Sequence, residues 1–132
     1  MQKPSQRFKA LGDETRLRLM YLLIASEDTL CVCEMMDALE IPQYQVSRHL
    51  SILKNVGLVT SERRGTWMYY SLESEKPGNH ELFEFLETYL RTSDMRARFE
   101  KDYEYLQKRI ALREAGTCVV GIRNGWKGRS ET

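Results

Sequence analysis

The sequence predicts a mainly α fold with one small β-hairpin (α+β), and three observations carry that prediction. Between Leu30 and Leu58 two short amphipathic helices are separated by almost nothing: LCVCEMMDALEIPQYQVSRHLSILKNVGL. Directly after them, LVTSERRGTWMYYSL reads as strand, turn and strand. Apolar-periodic helical stretches flank this block on both sides, more than a chain of 132 residues needs to cover one small core. Two helices joined by a tight break and followed by a hairpin make a winged helix-turn-helix, and surplus apolar helix makes it dimeric.

Taken in order, Pro4 to Leu11 is a short amphipathic segment with Phe8 and Leu11 apolar, interrupted by Gly12. Asp13 is a good N-cap for the next helix, although Arg16 three residues on means no capping box. Leu17, Met20, Tyr21 and Ile24, widened by Leu19, Leu22 and Leu23, give that helix so broad an apolar face that it belongs in the middle of the domain. Residues 27–29 are a turn. Val32, Met35, Met36 and Leu39 form the apolar face of the first short helix, and Glu40, Ile41 and Pro42 leave little room before the second. Pro42 suits a first helical turn, Gly57 a C-cap, and Val46, Leu50 and Leu53 form one buried stripe between them. Leu58 to Thr60 and Trp67 to Leu72 are strand-like, with Arg64 and Gly65 at the turn and one of Tyr69 and Tyr70 buried by alternation.

The stretch ESEKPGN is a loop by composition. From His80 the pattern is helical again, with Leu82, Leu86 and Tyr89 or Leu90 on one face and Phe83 and Phe85 adding aromatic bulk. Thr92, Ser93 and Asp94 form a break, after which Met95, Phe99, Tyr103, Leu106 and Ile110 recur at near-heptad spacing. The stripe of Leu82, Leu86 and Leu90, together with the Phe8 segment, is the expected dimer surface. Residues 1–115 are expected to form the DNA-binding and dimerisation domain and residues 116–132 a C-terminal tail.

Charge is nearly balanced, 20 basic against 19 acidic residues for a net +1, so this is not a generic polycation binder. Contact with double-stranded DNA has to rest on local groups. On the second helix Gln43, Tyr44, Gln45, Ser47, Arg48 and Lys54 lie off the buried stripe, with types that hydrogen-bond base edges or phosphates. His49 is either a core or a phosphate-contacting residue. Arg63 and Arg64 make the hairpin tip basic, suited to a phosphate or a minor groove. No run is apolar enough to span a membrane, and MQKPSQRFKALGDETR carries no apolar signal region, so a cytoplasmic protein without a membrane partner is expected. Three cysteines do not make a disulfide framework, and in a reducing compartment clustered thiols act as ligands or sensors.

With these residues laid out, the chain resembles the ArsR/SmtB family of metal- and metalloid-responsive winged-helix repressors. The matching stretches are FKALGDETRLRLMYLL, LCVCEMMDAL, QVSRHLSILKNVGLV and ERRGTWMYYSL, which lie between Phe8 and Leu72, about half the chain. The resemblance implies a homodimeric operator-binding repressor, not an enzyme, that leaves DNA when an effector binds. LCVCE is similar to the C-V-C-x-x-C motif of the arsenite- and antimonite-responsive branch, with Cys31 and Cys33 at the first two positions and Met36 at the third. Arsenite or antimonite would then be the effector, with no obligatory cofactor. The zinc-sensing branch uses His and acidic ligands after the wing, and here only His80, Glu81 and Glu84 are available, so the typical set is missing.

Trivalent metalloids prefer soft thiolate sulfur, and a helix N-terminus favours the thiolate. Cys31 and Cys33 are therefore the expected ligands. On a regular helix they stand roughly 200° apart. Joint ligation then requires the first turn to unwind, or the helix to start after Cys33, so binding is expected to deform the helix start. Cys118 either completes a three-sulfur site, within a subunit or across the dimer, or is a tail cysteine with no role. Two thiolates alone would serve a methylated arsenical, another soft metal or thiol oxidation. A thiol-dependent enzyme is disfavoured because no Cys-x-x-Cys, phosphate loop or nucleophile–base pattern is visible.

Overall fold

The computed structural model describes residues 3–113. Its elements are α1 (Pro4–Leu11), α2 (Glu14–Ser26), β1 (Leu30–Cys31), α3 (Val32–Leu39), α4 (Gln43–Asn55), β2 (Val59–Arg64), β3 (Trp67–Leu72), α5 (Asn79–Arg91) and α6 (Arg96–Ile110). The α+β winged helix-turn-helix is thus present as expected. The tail from residue 116, with Cys118, lies outside the described residues.

Helix α2 is the central post. Asp13 caps it by accepting from the Arg16 N–H at 3.0 Å, and every residue from Arg18 to Ile24 is buried. Leu19, Met20, Leu22 and Leu23 are fully enclosed, packed with Leu30, Met35, Leu50, Leu53, Leu58 and Leu106 from the surrounding elements. Burying side chains of this size contributes about 1.5–3 kcal/mol each. Arg18, on the same helix, is enclosed because Asp102 of α6 takes both its Nε and Nη2 hydrogens, at 2.8 and 2.9 Å.

The turn between α3 and α4 has no glycine. Glu40 itself adopts the left-handed conformation (φ 53°), which lets the Ile41 N–H reach back to the Met36 carbonyl. Pro42 precedes α4 as its N-cap rather than lying in its first turn. At the other end Gly57 (φ 80°) closes the helix: its N–H donates to the Lys54 carbonyl and the Leu58 N–H to the Leu53 carbonyl, both at 3.0 Å. That double bond turns the chain directly into β2.

The hairpin has a two-residue turn, Gly65 and Thr66, so Arg64 is the last strand residue and pairs with Trp67. The sheet has a third member that the sequence did not announce. Strand β1 adds to the free edge of β3 with Leu30 opposite Tyr70 and Cys31 opposite Tyr69, giving the order β1-β3-β2. Both Tyr69 and Tyr70 are buried, on opposite faces of β3, because each face is covered.

Helix α5 starts at the buried Asn79, whose Nδ2 donates to the carbonyls of Gly57 and Glu73. Leu86 and Leu90 are buried within the subunit and Leu82 is half-buried against the core. The exposed large apolar side chains among the described residues are instead Phe8 on α1, Tyr44 on α4, Phe85 and Tyr89 on α5 and Met95 after it, with Phe85 and Tyr89 stacked at a ring-centroid distance of 5.4 Å. The expected dimer stripe of Leu82, Leu86 and Leu90 is thereby corrected. That face covers α2, and the outward apolar face of α5 is one residue removed. No helix among the described residues is long and apolar enough to cross a membrane.

Candidate DNA-binding face and thiol site

Helix α4 buries Val46, Leu50 and Leu53 completely and turns its N-terminal polar residues outward. Gln43, Tyr44 and Arg48 are exposed, and Gln45 and Ser47 are half-buried. Lys54 is exposed but already engaged: its Nζ donates to Ser61 Oγ of β2 at 2.8 Å and ties the helix to the wing. His49 does not share the outward face. It is buried, and its Nδ1 accepts from Arg16 Nη1 at 3.0 Å, since a guanidinium can only donate. Burial holds its pKa below the ordinary value. Of the two roles expected for His49, core or phosphate contact, its burial fits the core one, as a brace between α4 and the start of α2. The physical reason is position: 49 lies three residues after Val46, on the buried stripe.

On the wing, Arg63 and Arg64 point differently. Arg64 donates to Glu62 at 3.2 Å and lies 4.5 Å above the Tyr69 ring, a cation–π contact that folds it back on the sheet. Arg63 is exposed and lines the gap between wing and α4. The two basic tips are not equivalent.

The cysteines lie where sheet meets helix. Cys31 is the last residue of β1 and also the N-cap of α3, with extended backbone (φ −76°, ψ 146°). Cys33 is already in the first turn of α3. This break brings the two sulfurs to 2.9 Å of each other. The expected separation of roughly 200° assumed both residues on one helix. It does not apply, and no unwinding is needed for both sulfurs to face one atom. Glu34 fixes the arrangement by accepting from the Cys31 N–H at 3.0 Å, the carboxylate arm of a capping box.

The Cys31 thiol is not primed as a thiolate. Burial pushes its pKa up, and the nearby Cys33 and Glu34 N–H groups only partly offset that. The expected depression by the helix N-terminus is therefore corrected: the thiol is only 1% exposed, and desolvation of the charged form wins.

Two arginines that local sequence patterns did not single out secure this corner from α6 and the residues after it. Arg113 grips Glu34 with two bonds of 2.6 and 2.7 Å, and also bonds Asp28 and the Thr29 carbonyl. Hydrogen bonding to Glu34 raises its own pKa. Arg109, fully buried, bonds Asp37 at 2.7 Å and approaches Cys33 Sγ at 3.7 Å. Nothing local marks either residue. Glu34 was findable, because C-x-x-E has the spacing of a capping box. A cavity of about 370 Å³ opens beside the two sulfurs. Cys31 and Cys33 form one wall, Gln43 and Ser47 of α4 a second, and Arg63 and Trp67 of the wing a third.

Comparison with known proteins meets this geometry at the same place. The sequence profile described as bacterial regulatory protein, arsR family, matches residues 13–61, from the cap of α2 through α4 into β2. The chain is 43% identical over 76 residues to the arsenical resistance operon repressor of Bacillus subtilis, covering 58% of this chain and 71% of that protein. It is 48% identical over 82 residues to the arsenic resistance transcriptional regulator ArsR2 of Pseudomonas putida, covering 61% and 70%. The chain belongs to the arsR family of bacterial regulatory proteins. Another arsR-family regulator of Pseudomonas putida, ArsR1, is 51% identical over 70 residues, although this chain spans only about half of it (54%). Regulators of the arsR family are DNA-binding transcription factors rather than enzymes, which agrees with an outward polar face on α4. In this arsR-family chain the matched region holds α4, the start of β2 and both Cys31 and Cys33.

Proposed function

We propose that this arsR-family regulator is a homodimeric repressor that releases its operator when trivalent arsenic or antimony is held by the Cys31 and Cys33 thiolates. The observation that carries this reading is the 2.9 Å approach of the two sulfurs at a junction shared by sheet and helix. Cys31 belongs to β1, which pairs with the wing strand β3, while Cys33 belongs to α3, which packs on α4. One metalloid atom bonded to both sulfurs ties the wing and the helix-turn-helix together. Soft thiolate sulfur is the ligand such an atom prefers. The relatives' names, arsenic resistance regulators and an arsenical operon repressor, point to the same effector class.

DNA is read by Gln43, Tyr44, Gln45, Ser47 and Arg48 in the major groove, with Arg63 on phosphate or the minor groove. Two copies related by a two-fold axis place two reading helices on successive grooves of a palindromic operator. Cys118 is the candidate third sulfur.

The test is operator release followed by fluorescence anisotropy in the presence of a thiol reductant. Arsenite should displace the parent protein. Cys31→Ser and Cys33→Ser should each bind the operator and stay bound. Release of both variants at the parent's arsenite concentration would contradict the reading. Cys118→Ser separates a three-sulfur site, where release is lost, from a two-thiolate site, where it is kept.

A further inference from the structure

We propose that Arg7 is a positioning residue that fixes where α4 stands relative to the proposed subunit interface, so that the two reading helices of a dimer match one half-site spacing; the inference rests on the palindromic operator reading above. Adjacent residues of a helix point about 100° apart, and α1 uses this at Arg7 and Phe8. Phe8 is exposed, placed to meet a second copy. Arg7 is half-buried and turns toward α4, where its Nε–H donates at 3.0 Å to the carbonyl of Val56, the residue that ends that helix. A guanidinium suits this end, because the last carbonyls of a helix carry partial negative charge.

A second arginine bridge starts from the same helix. Arg16 donates from Nε to the Ala10 carbonyl in the last turn of α1 and from Nη1 to His49 in the middle of α4. Helix α4 is thus tied to α1 near its middle and at its end. Between the two ties lies a cavity of about 600 Å³, with Gln6, Lys9 and Ala10 of α1 on one side and Ile52 and Val56 on the other. Side chains do not fill that space, so there the hydrogen bonds set the distance between the helices. Gly57 belongs to the same arrangement. Its φ is 80°, and a Cβ on it would stand 3.4 Å from Arg7 Nη2, so the guanidinium lies close over the turn that leads α4 into the wing.

Two-fold symmetry gives this tie its consequence. Any tilt of α4 against α1 is repeated in the second copy, so an error in the separation of the reading helices is doubled. Half-sites one helical turn apart leave little room for such an error. The gain from linking two half-sites is realised only when both are engaged together. Loss of the Arg7 bridge therefore removes no base contact and no interface contact. It loosens the register between the two.

The full chain is compared by fluorescence anisotropy on three DNAs: a palindromic operator selected from random sequence, the same palindrome with a base pair inserted between its half-sites, and a single half-site. Arg7→Met and Arg7→Gln are the informative pair. Both keep the stem as far as the Nε position, where the first ends in a methyl group and the second in an N–H donor. Arg7→Met should bind the half-site as the parent does and still sediment as a dimer. It should bind the operator about tenfold more weakly and lose most of the preference for the operator over the insertion. Arg7→Gln should keep that preference. An Arg7→Met protein with the parent's preference overturns the proposal, as does equal loss in both variants. Should Arg7→Met not fold, NMR of the parent decides: the Arg7 Nε–H should exchange with water more slowly on the operator than on the insertion, and equal exchange overturns the proposal. A parent that binds palindrome and half-site alike would instead contradict the operator reading itself, and this inference would fall with it.

Discussion

At the scale of single residues, the thiol corner depends on charges that are taken out of water in pairs. Glu34 is fully buried, and the Arg113 side chain facing it is 15% exposed. Removing the guanidinium leaves a carboxylate enclosed without its partner, the costly way to break such a pair. Arg113→Ala should therefore lower unfolding free energy by about 3 kcal/mol in urea titration. Glu34→Gln in that background should recover much of the loss. His49 makes a second, pH-dependent prediction. Burial lowers its folded pKa below the ordinary 6.5, against the pull of Asp13 and with the help of Arg16 and Arg48. Between those two values the unfolded chain holds a proton that the folded chain does not, so stability falls as pH drops below about 6.5 and levels off below the folded pKa. Urea midpoints from about pH 7.5 to pH 5.5 should show that slope, and His49→Gln should flatten it.

At the scale of elements, we propose that α4 and the wing divide recognition between them. Arg48 is exposed on the reading helix, so Arg48→Ala should cost about 1–3 kcal/mol on the operator and relax preference at one base position. Arg63→Ala should weaken all DNA alike and flatten the salt dependence, whereas Arg64→Ala should do less, because Arg64 is occupied by Glu62 and Tyr69. Anisotropy across a salt series reads both effects. The helices and hairpin were legible because their signals are local: a stripe at 46, 50 and 53, a glycine closing α4, alternation from Trp67 to Leu72. Strand β1 was not, since two residues are too few to alternate. Its absence from the sequence reading also hid the convergence of Cys31 and Cys33, which needs one residue in the sheet and the other in the helix. Arg113 reaches Glu34 across 79 positions, a distance at which no local pattern speaks. On α5, Leu82–Leu86–Leu90 and Phe85–Tyr89 both have helical spacing. Only the placement of α2 decides which stripe faces inward.

At the scale of the whole molecule, the rings of Phe8, Phe85 and Tyr89 stay exposed after the described residues have packed, and a second copy is the partner we propose for them. Phe85→Glu with Tyr89→Glu should convert a dimer at micromolar concentration into a monomer in sedimentation. Operator affinity should fall with it, because one reading helix then binds a half-site alone. A dimer that survives both changes would put the interface elsewhere. The central claim is that thiol ligation and DNA binding are two readings of one equilibrium, and such coupling is reciprocal. The direct measurement is arsenite affinity, by titration under reductant, for the free protein and for the protein saturated with operator. Operator should weaken arsenite binding by the same factor by which arsenite weakens operator binding. An arsenite affinity that is identical with and without bound DNA would contradict the account.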